Sequence, residues 1–305
     1  MISRDSFLKN GTQIRYIGLV ISVLFVLLSG FSVVNKGLNI GFDFTGGYLT
    51  EFTTAVAVSD SQMQQKIAAT GTENYVLTAQ SAQHFQIKES AEQSMWLQAL
   101  KQDPTLGLEV ISSSYLGSQV GDELLEQGVL ALFTAMVAVM LYLAVRFEWR
   151  LAIGAVAALF HDIIIVLGLF SWLQLEFNLT VLASLLAIIG YSLNDSIIVG
   201  DRVRELLRHD NAAQLTVNNV INNAISSTLT RTLITSGTTL ATVGSVWLFA
   251  GAPLQGFSIA LFAGIVFGTV SSICIAVTLP QLLGLSAENY KLKLDEKSQA
   301  LMDMP

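Results

Sequence analysis

Two oppositely charged side chains, Asp195 and Arg231, stand inside long apolar stretches of this sequence. Asp195 lies five residues, roughly 7.5 Å of helix rise, before the end of the apolar run 179–200. With a helix start near Ala224, Arg231 lies about two turns into the next span. A charge at the centre of a membrane helix costs about 2.5–3.5 kcal/mol, so such groups face a bundle interior, pair or line water. The spacing therefore predicts an intramembrane ion pair at similar depth.

A structural alternative stays open for each member of this pair. Asp195 could merely end its span at the interface, although Asp201 already marks that position. Arg231 could extend its aliphatic stem to the cytoplasmic interface. Nearby polar side chains favour the functional interpretation, because a helix rich in hydroxyl groups packs closely and can line a wet path. The supporting intramembrane residues are Tyr191, Asn194 and Ser196 around Asp195, and Thr235 one turn after Arg231.

A third candidate, Asp162, follows His161 midway along the apolar run 151–172. A carboxyl group at that depth is by default a hypothesis for a transport site. The alternative is a structural carboxyl group that is hydrogen-bonded to a neighbouring helix. The sequence does not separate these two interpretations.

The chemistry that such residues offer is ion coupling. A buried carboxylate near a cation that can move away changes its proton affinity as the helices rearrange. One elementary charge that crosses a potential of 100 mV yields about 2.3 kcal/mol. Several such cycles could drive work on a partner.

The elements that must position these residues are predicted to be membrane helices. Of the 305 residues, 52% are hydrophobic and 13% are charged, whereas soluble domains carry about 25% charged residues. A helix needs about 20 apolar residues to cross a bilayer. Six runs approach that length: 16–34, 127–145, 151–172, 179–200, 231–250 and 255–280. The sequence thus predicts a polytopic α-helical membrane protein with six transmembrane helices, the first of which is retained as an anchor because no small-residue cleavage site follows it.

The distribution of Lys and Arg predicts the orientation of these helices. Alternate connections carry Lys or Arg, whereas the short connections 173–178 and 251–254 carry none. The positive-inside rule then places both termini in the cytoplasm. The predicted organisation is a cytoplasmic N-terminus over 1–15, a first helix over 16–34, an outer α+β domain over 35–126, helices two to six over 127–285, and a cytoplasmic tail over 286–305.

The outer segment 35–126 shows the pattern of a small α+β domain. Its sequence patterns predict strands and helices in the order β-α-β-β-α-β, which is typical of a ferredoxin-like fold. The first strand is predicted within 41–58, and Ser59 or Asp60 is predicted to cap the first helix, which Gly71 ends. The second helix is predicted to stop at Pro104.

Nothing in the sequence indicates an enzyme. The chain has no nucleophile–base set, no metal-ligand spacing and no cofactor loop, and its single Cys274 cannot form an intramolecular disulfide. No basic block indicates nucleic acid. A Gly-rich motif with Asp43, Gly46 and Gly47 lacks the Lys of a phosphate loop. We interpret this motif as a tight backbone approach at a strand start, while a binding surface on this domain stays open.

Five segments together resemble the SecF family, the smaller membrane subunits of the bacterial SecD–SecF protein-export complex. These segments are GFDFTGG, RFEWRLAIG, HDIII, GYSLNDSIIVGDRVRE and TLTRTLITSGTTL, and the similarity spans about 36–280. The resemblance implies membership of the resistance–nodulation–division superfamily, with SecD supplying the other six helices. It also implies that Asp195 and Arg231 match the family's intramembrane Asp and Arg.

The resemblance further implies a function in protein export. The expected partners are SecD, the SecY–SecE–SecG channel, YajC as a further small subunit, secretory preproteins and membrane lipids, with 35–126 in the periplasm and the helices in the inner membrane. The expected energy source is the proton-motive force, with sodium as an alternative ion, and no cofactor is expected. Two other interpretations stay open: a half-transporter for a small molecule or lipid, and an assembly subunit that transports nothing.

Overall fold

The computed structural model describes residues 4–72, 75–89, 94–208 and 216–286. Six helices in this part of the chain are long and apolar enough to cross a membrane, which confirms the predicted number. Their bounds are α1 (Arg4–Lys36), α5 (Ser118–Arg146), α6 (Trp149–Leu173), α7 (Leu179–Arg208), α8 (Val217–Phe249) and α9 (Ala252–Cys274). The last span continues through a turn into the short helix α10 (Thr278–Leu282), so that the apolar stretch runs from Pro253 to Leu282.

Helices α6, α7 and α9 form the centre of the bundle. Half or more of the most apolar window of each is buried, whereas α1, α5 and α8 are mostly exposed along theirs. Small residues allow close contacts at the centre. A Cβ atom on Gly168 of α6 would lie 2.2 Å from the side chain of Ser29 in α1. On Gly154, a Cβ atom would lie 2.3 Å from the carbonyl oxygen of Ala276.

Helices α7 and α8 extend further than their apolar runs predict. The apolar run of α7 ends at Gly200, but the helix continues to Arg208, and α8 begins at Val217, about two turns before Ala224. The positions at which these spans leave the membrane stay predictions. Polar contacts explain the longer α8. Thr216 caps it by accepting a hydrogen bond from the backbone N–H of Asn219. The added turns also carry side chains that hold Arg15 of α1.

Arg15 is fully buried, and the hydrogen-bond acceptors that bind it among the described residues are neutral. Its Nε donates to Asn222 at 3.1 Å, and its terminal nitrogens donate to the side chains of Asn218, Thr278 and Gln281 at 2.9–3.3 Å. The guanidinium therefore joins α1 to α8 and α10. A buried charge needs such a set of hydrogen bonds to offset the loss of hydration.

The segment between α1 and α5 contains a four-stranded antiparallel sheet with two helices. Its elements are β2 (Gly47–Thr53), α3 (Asp60–Ala68), β3 (Tyr75–Ala79), β4 (His84–Glu89), α4 (Ser94–Lys101) and β5 (Glu109–Leu116). The strands lie in the order β3-β4-β2-β5. One face carries a core that includes Phe52, Phe85 and Trp96. We call this part, from Gly47 to Leu116, the sheet unit.

Local signals in the sheet unit agree with the structure at most positions. Ser59 forms a capping box with Gln62 and thus starts α3 as predicted. The predicted strand over 41–58 is wrong at its beginning, because Phe42–Thr45 forms one helical turn, α2. The backbone N–H groups of Phe44 and Thr45 both donate to the carbonyl of Gly41, which closes that turn. The predicted tail after residue 286 lies outside the described residues.

Candidate functional site

Asp162 is a fully buried centre that joins three helices. Its Oδ2 accepts a hydrogen bond from Ser192 of α7 and one of 2.9 Å from Ser271 of α9. Its Oδ1 lies 2.8 Å from Nδ1 of His161. Every carboxylate oxygen therefore has a partner, which is the hydrogen bonding that the structural alternative requires.

Asp195 is also buried, with only 1% of its surface exposed, but its environment differs. Neither of its carboxylate oxygens has a hydrogen-bond partner among the described residues. Ser236 of α8 makes a weak polar contact with this carboxylate that does not meet hydrogen-bond geometry, and its hydroxyl pairs with that of Thr269 in α9 at 2.7 Å. Arg231 is close enough to Asp195 for an electrostatic interaction. A buried carboxylate without fixed partners is free to exchange an ion or a partner.

Arg231 lies near Asp195 but does not form an ion pair with it. Within the described residues no nitrogen–oxygen distance of 4.0 Å or less joins them. Arg231 is exposed and lines a cavity of about 700 Å³ between α7 and α8. The other lining residues are Ile197, Ile198, Asp201, Arg202, Arg204, Glu205, Arg208 and Thr228. The arrangement brings the two predicted partners into one region of the bundle without a direct contact.

The two residues occupy matching levels along neighbouring helices. Thirteen residues separate Asp195 from Arg208 at the end of α7, and fourteen separate Arg231 from Val217 at the start of α8. Each distance is about 20 Å of helix. Each residue thus lies at a comparable distance from the end of its helix, while a similar depth in the membrane stays a prediction.

The supporting polar residues fall into two groups. Tyr191 and Ser196 have buried hydroxyl groups with no hydrogen-bond partner among the described residues, whereas Asn194 is exposed. The hydroxyl of Thr235 donates to backbone carbonyls of its own helix, at Arg231 and Thr232. Of these four residues, Tyr191 and Ser196 therefore add unpaired polar atoms to the region around Asp195.

The Gly-rich motif lies far from these residues, at the opposite end of α7. Oδ2 of Asp43 accepts a hydrogen bond of 2.9 Å from the backbone N–H of Leu179, the first residue of α7. Gly46 and Gly47 have φ values of 68° and 121°, which favour glycine. A Cβ atom on Gly47 would lie 2.3 Å from the carbonyl oxygen of Glu89. The tight backbone approach expected from the sequence therefore occurs here.

Sequence reasoning missed several residues that complete these sites. Ser271 and Thr269 are ordinary hydroxyl residues of an apolar helix, and only helix packing brings Ser271 to Asp162 and Thr269 to Ser236 beside Asp195. No group of three or more His, Cys, Asp or Glu side chains in the described part of the chain could hold a metal ion.

Comparison with known proteins agrees with these motifs. Residues 97–285 match the family described as "Protein export membrane protein SecD/SecF, C-terminal". The chain belongs to the SecD/SecF family. With its six apolar helices, this member of the SecD/SecF family is a multi-pass protein of the inner membrane.

Curated relatives of the SecD/SecF family cover nearly the whole chain. The protein translocase subunit SecF of Haemophilus influenzae is 37% identical over 283 residues, which span 91% of this chain and 86% of the relative. The protein translocase subunit SecF of Vibrio alginolyticus is 38% identical over 296 residues, which span 94% of this chain and 93% of the relative.

Solved structures of SecDF proteins share the fold. SecDF of Thermus thermophilus, described as a translocon-associated membrane protein, superposes with a TM-score of 0.79 at 31% identity over 91% of this chain. SecDF in a super-membrane-facing form gives a TM-score of 0.69 at 30% identity over 98% of this chain. The chain spans about two-fifths of the length of these SecDF proteins, 38% and 40% respectively.

Proposed function

We propose that the protein is an accessory subunit of the preprotein translocase, and that it uses the proton-motive force together with SecD to promote protein export. Its relatives named protein translocase subunit SecF support this function. We extend the proposal to contacts with the SecY–SecE–SecG channel, with YajC and with emerging preproteins. The step that the chain itself supplies is ion coupling at Asp195.

The observation that carries this proposal is that the carboxylate of Asp195 has no hydrogen-bond partner in the described part of the chain. Its carboxylate is buried without a hydrogen-bond partner among the described residues, near an Arg231 that borders an open cavity. Movement of α8 toward α7 would bring the guanidinium to the carboxylate and favour its charged form. Movement away would favour proton uptake. Asp162, whose oxygens are all partnered, serves the cycle by holding α6, α7 and α9 together.

The orientation belongs to the same proposal. We place both termini and the cavity beside Arg231 in the cytoplasm, and residues 35–126 in the periplasm. The β-α-β-β-α-β order and the strand order β3-β4-β2-β5 support a ferredoxin-like domain there. Arg146, Arg202 and Arg204 near the inner ends of α5 and α7 support the same orientation.

The test compares translocation into inverted vesicles with and without a proton gradient. We expect the gradient to stimulate translocation with the unsubstituted chain, and Asp195→Asn to abolish that stimulation while the complex with SecD stays assembled. Arg231→Gln should have the same effect. The double variant should be no worse than either single variant, because residues that act as a unit are not additive.

Arg204→Gln is the matched control for Arg231→Gln. Arg204 lines the same cavity but pairs with Asp201 of its own helix at 2.6 Å and donates to the carbonyl of Arg146 in α5 at 3.0 Å, so its loss should leave the stimulation unchanged. Stimulation that persists in Asp195→Asn would instead support an assembly subunit without transport. Stimulation by a sodium gradient alone would replace the proton with sodium and keep the site.

A further inference from the structure

The Gly-rich motif contacts both the sheet unit and the helix that carries Asp195. On one side, Gly46 and Gly47 lie against the backbone at the ends of β5 and β4, where a Cβ atom would approach a carbonyl oxygen to 2.8 and 2.3 Å. On the other side, Oδ2 of Asp43 accepts a hydrogen bond from the backbone N–H of Leu179. The motif is thus a junction between two parts of the molecule, and we call residues 39–47 the junction.

The connection between α6 and α7 is held to the same junction by further contacts. Residues 39–40 pair in parallel with residues 176–177 as a two-stranded ladder, β1 with β6. The backbone N–H of Gly41 donates to the carbonyl of Phe177 at 2.9 Å, and that of Phe42 donates to Oε1 of Glu176 at 3.2 Å. The ring of Phe44 stacks on that of Phe177. A movement of the start of α7 should therefore also move the junction.

A charge pair fastens the sheet unit to this connection as well. Lys88 of β4 donates to the same Oε1 of Glu176 that binds Phe42. The side chain of Lys88 is 17% exposed and that of Glu176 is 32% exposed. The sheet unit thus touches the start of α7 through the junction and through Lys88.

Asp43 has the chemistry that suits this position. Leu179 is the first residue of α7, where backbone N–H groups lack partners inside the helix. Asn178 caps the N–H of Val181 at 3.1 Å, and Asp43 supplies the acceptor for Leu179 from a part of the chain far away in sequence. A negative charge at a helix N-terminus also interacts favourably with the helix dipole. The contact is therefore charge-assisted as well as directional.

We propose that Asp43 is a positioning residue of the coupling cycle, which joins the outer end of α7 to the sheet unit so that a displacement of α7 moves the sheet unit. This inference rests on the proposed function, in which α7 and α8 move relative to each other at Asp195. Sixteen residues, about 24 Å of helix, lie between Leu179 and Asp195. A continuous helix transmits a displacement over that length.

The experiment uses the full chain reconstituted with SecD in proteoliposomes, in a Cys274→Ala background. One reporter is the distance between spin labels at Met95→Cys in the sheet unit and Leu248→Cys near the end of α8, both of which are exposed. The other reporter is the rate at which Ile198→Cys, in the cavity beside Arg231, reacts with a soluble thiol reagent. Each is measured with and without a proton gradient.

We expect the gradient to change both reporters when Asp43 is present. In Asp43→Ala, the change in the spin-label distance should fall more than twofold, although the β1–β6 ladder and the pair of Lys88 with Glu176 remain, while the change at Ile198→Cys stays within twofold. Asp43→Asn keeps an oxygen acceptor for Leu179 without the charge, so it should retain at least half of the distance change. Asp122→Ala, which removes an exposed carboxylate at the start of α5, is the matched control and should alter neither reporter more than twofold.

A distance change in Asp43→Ala that stays within twofold of the control overturns the proposal, since Asp43 is then only a helix cap. Loss of both responses in Asp43→Ala also overturns it, because the residue then acts on the membrane region itself. A response at Ile198→Cys without any distance change in the unsubstituted chain overturns this proposal alone. No response at either reporter in that chain contradicts the proposed function and this inference together.

Discussion

At the scale of single residues, the two buried carboxylates of the bundle differ in their partners. Asp162 has hydroxyl or imidazole groups at both oxygens, and these come from α7 and α9 as well as from its neighbour His161. Asp195 has no such partner within the described residues. A buried polar group with all partners in place stabilises one arrangement, whereas one without them is suited to change. Asp162 and Asp195 are almost equally buried, so burial alone does not distinguish them.

This difference predicts how Ser192 and Ser271 behave. Replacement of either by Ala removes one hydrogen bond to Asp162 between helices, and such bonds contribute about 0.6–2 kcal/mol in membranes. We expect Ser192→Ala and Ser271→Ala to lower the free energy of unfolding in mixed micelles by that amount. Both should leave the ratio of translocation with and without a gradient unchanged.

Ser184→Ala is the control for this pair. Ser184 is buried, but its hydroxyl donates to the carbonyl of Val181 in its own helix and forms no hydrogen bond to another helix in the described part of the chain. Its replacement should change the free energy of unfolding by less than about 0.5 kcal/mol. A lower gradient response in Ser192→Ala at unchanged stability would count against the structural role of Asp162 and move it into the coupling pathway.

At the scale of elements, the contact between α1 and α6 depends on a glycine. An added Cβ atom at Gly168 would lie 2.2 Å from Cβ and Oγ of Ser29 and 2.6 Å from its Cα, so the backbone itself would have to move. Overpacking of this kind costs about 1–3 kcal/mol. We expect Gly168→Ala to lower the free energy of unfolding by that amount.

Gly190→Ala provides the matched comparison for Gly168→Ala. Gly190 is also helical, in α7, but nothing lies within 4 Å of an added Cβ atom there. Alanine favours a helix over glycine by up to about 1 kcal/mol, so this replacement should be neutral or stabilising. Equal destabilisation by both replacements would show that close packing at Ser29 is not the cause. The measurement is unfolding of the reconstituted chain in mixed micelles.

The sequence predicted the elements better than their ends and contacts. Apolar length sufficed to find six helices, since a bilayer demands it. Both α7 and α8 extend beyond their apolar runs, and apolar length did not reveal that Asn218 and Asn222 in the first turns of α8 bind Arg15. The helical turn at Phe42–Thr45 was missed because its residue types favour a strand. The contact of Asp43 with Leu179 joins residues 136 positions apart, which no local pattern reveals.

At the scale of the whole molecule, one outer face of the bundle is unlike the others. The large exposed side chains in the apolar parts of α1 and α5 include Leu27, Phe31, Leu130 and Phe133. One face of α8 instead carries the exposed polar residues Arg231, Thr238, Thr242 and Ser245, at intervals of seven, four and three residues, beside the apolar Ile234 and Leu248. The three hydroxyl groups donate to carbonyls of their own helix, so Arg231 is the group on this face that needs protein or water rather than lipid beside it.

We therefore predict that SecD covers this face of α8. A photoreactive side chain at Thr242 should form an adduct with SecD in the reconstituted complex, at a yield at least about tenfold above that from the same group at Phe133. Phe133 is a suitable comparison because it is 63% exposed on α5, on an apolar face that lipid can cover without loss of hydrogen bonds. Equal yields at both positions would mean that polarity does not identify the covered face. Adducts at Phe133 alone would place SecD against α5 and leave the polar face of α8 beside a water-filled path.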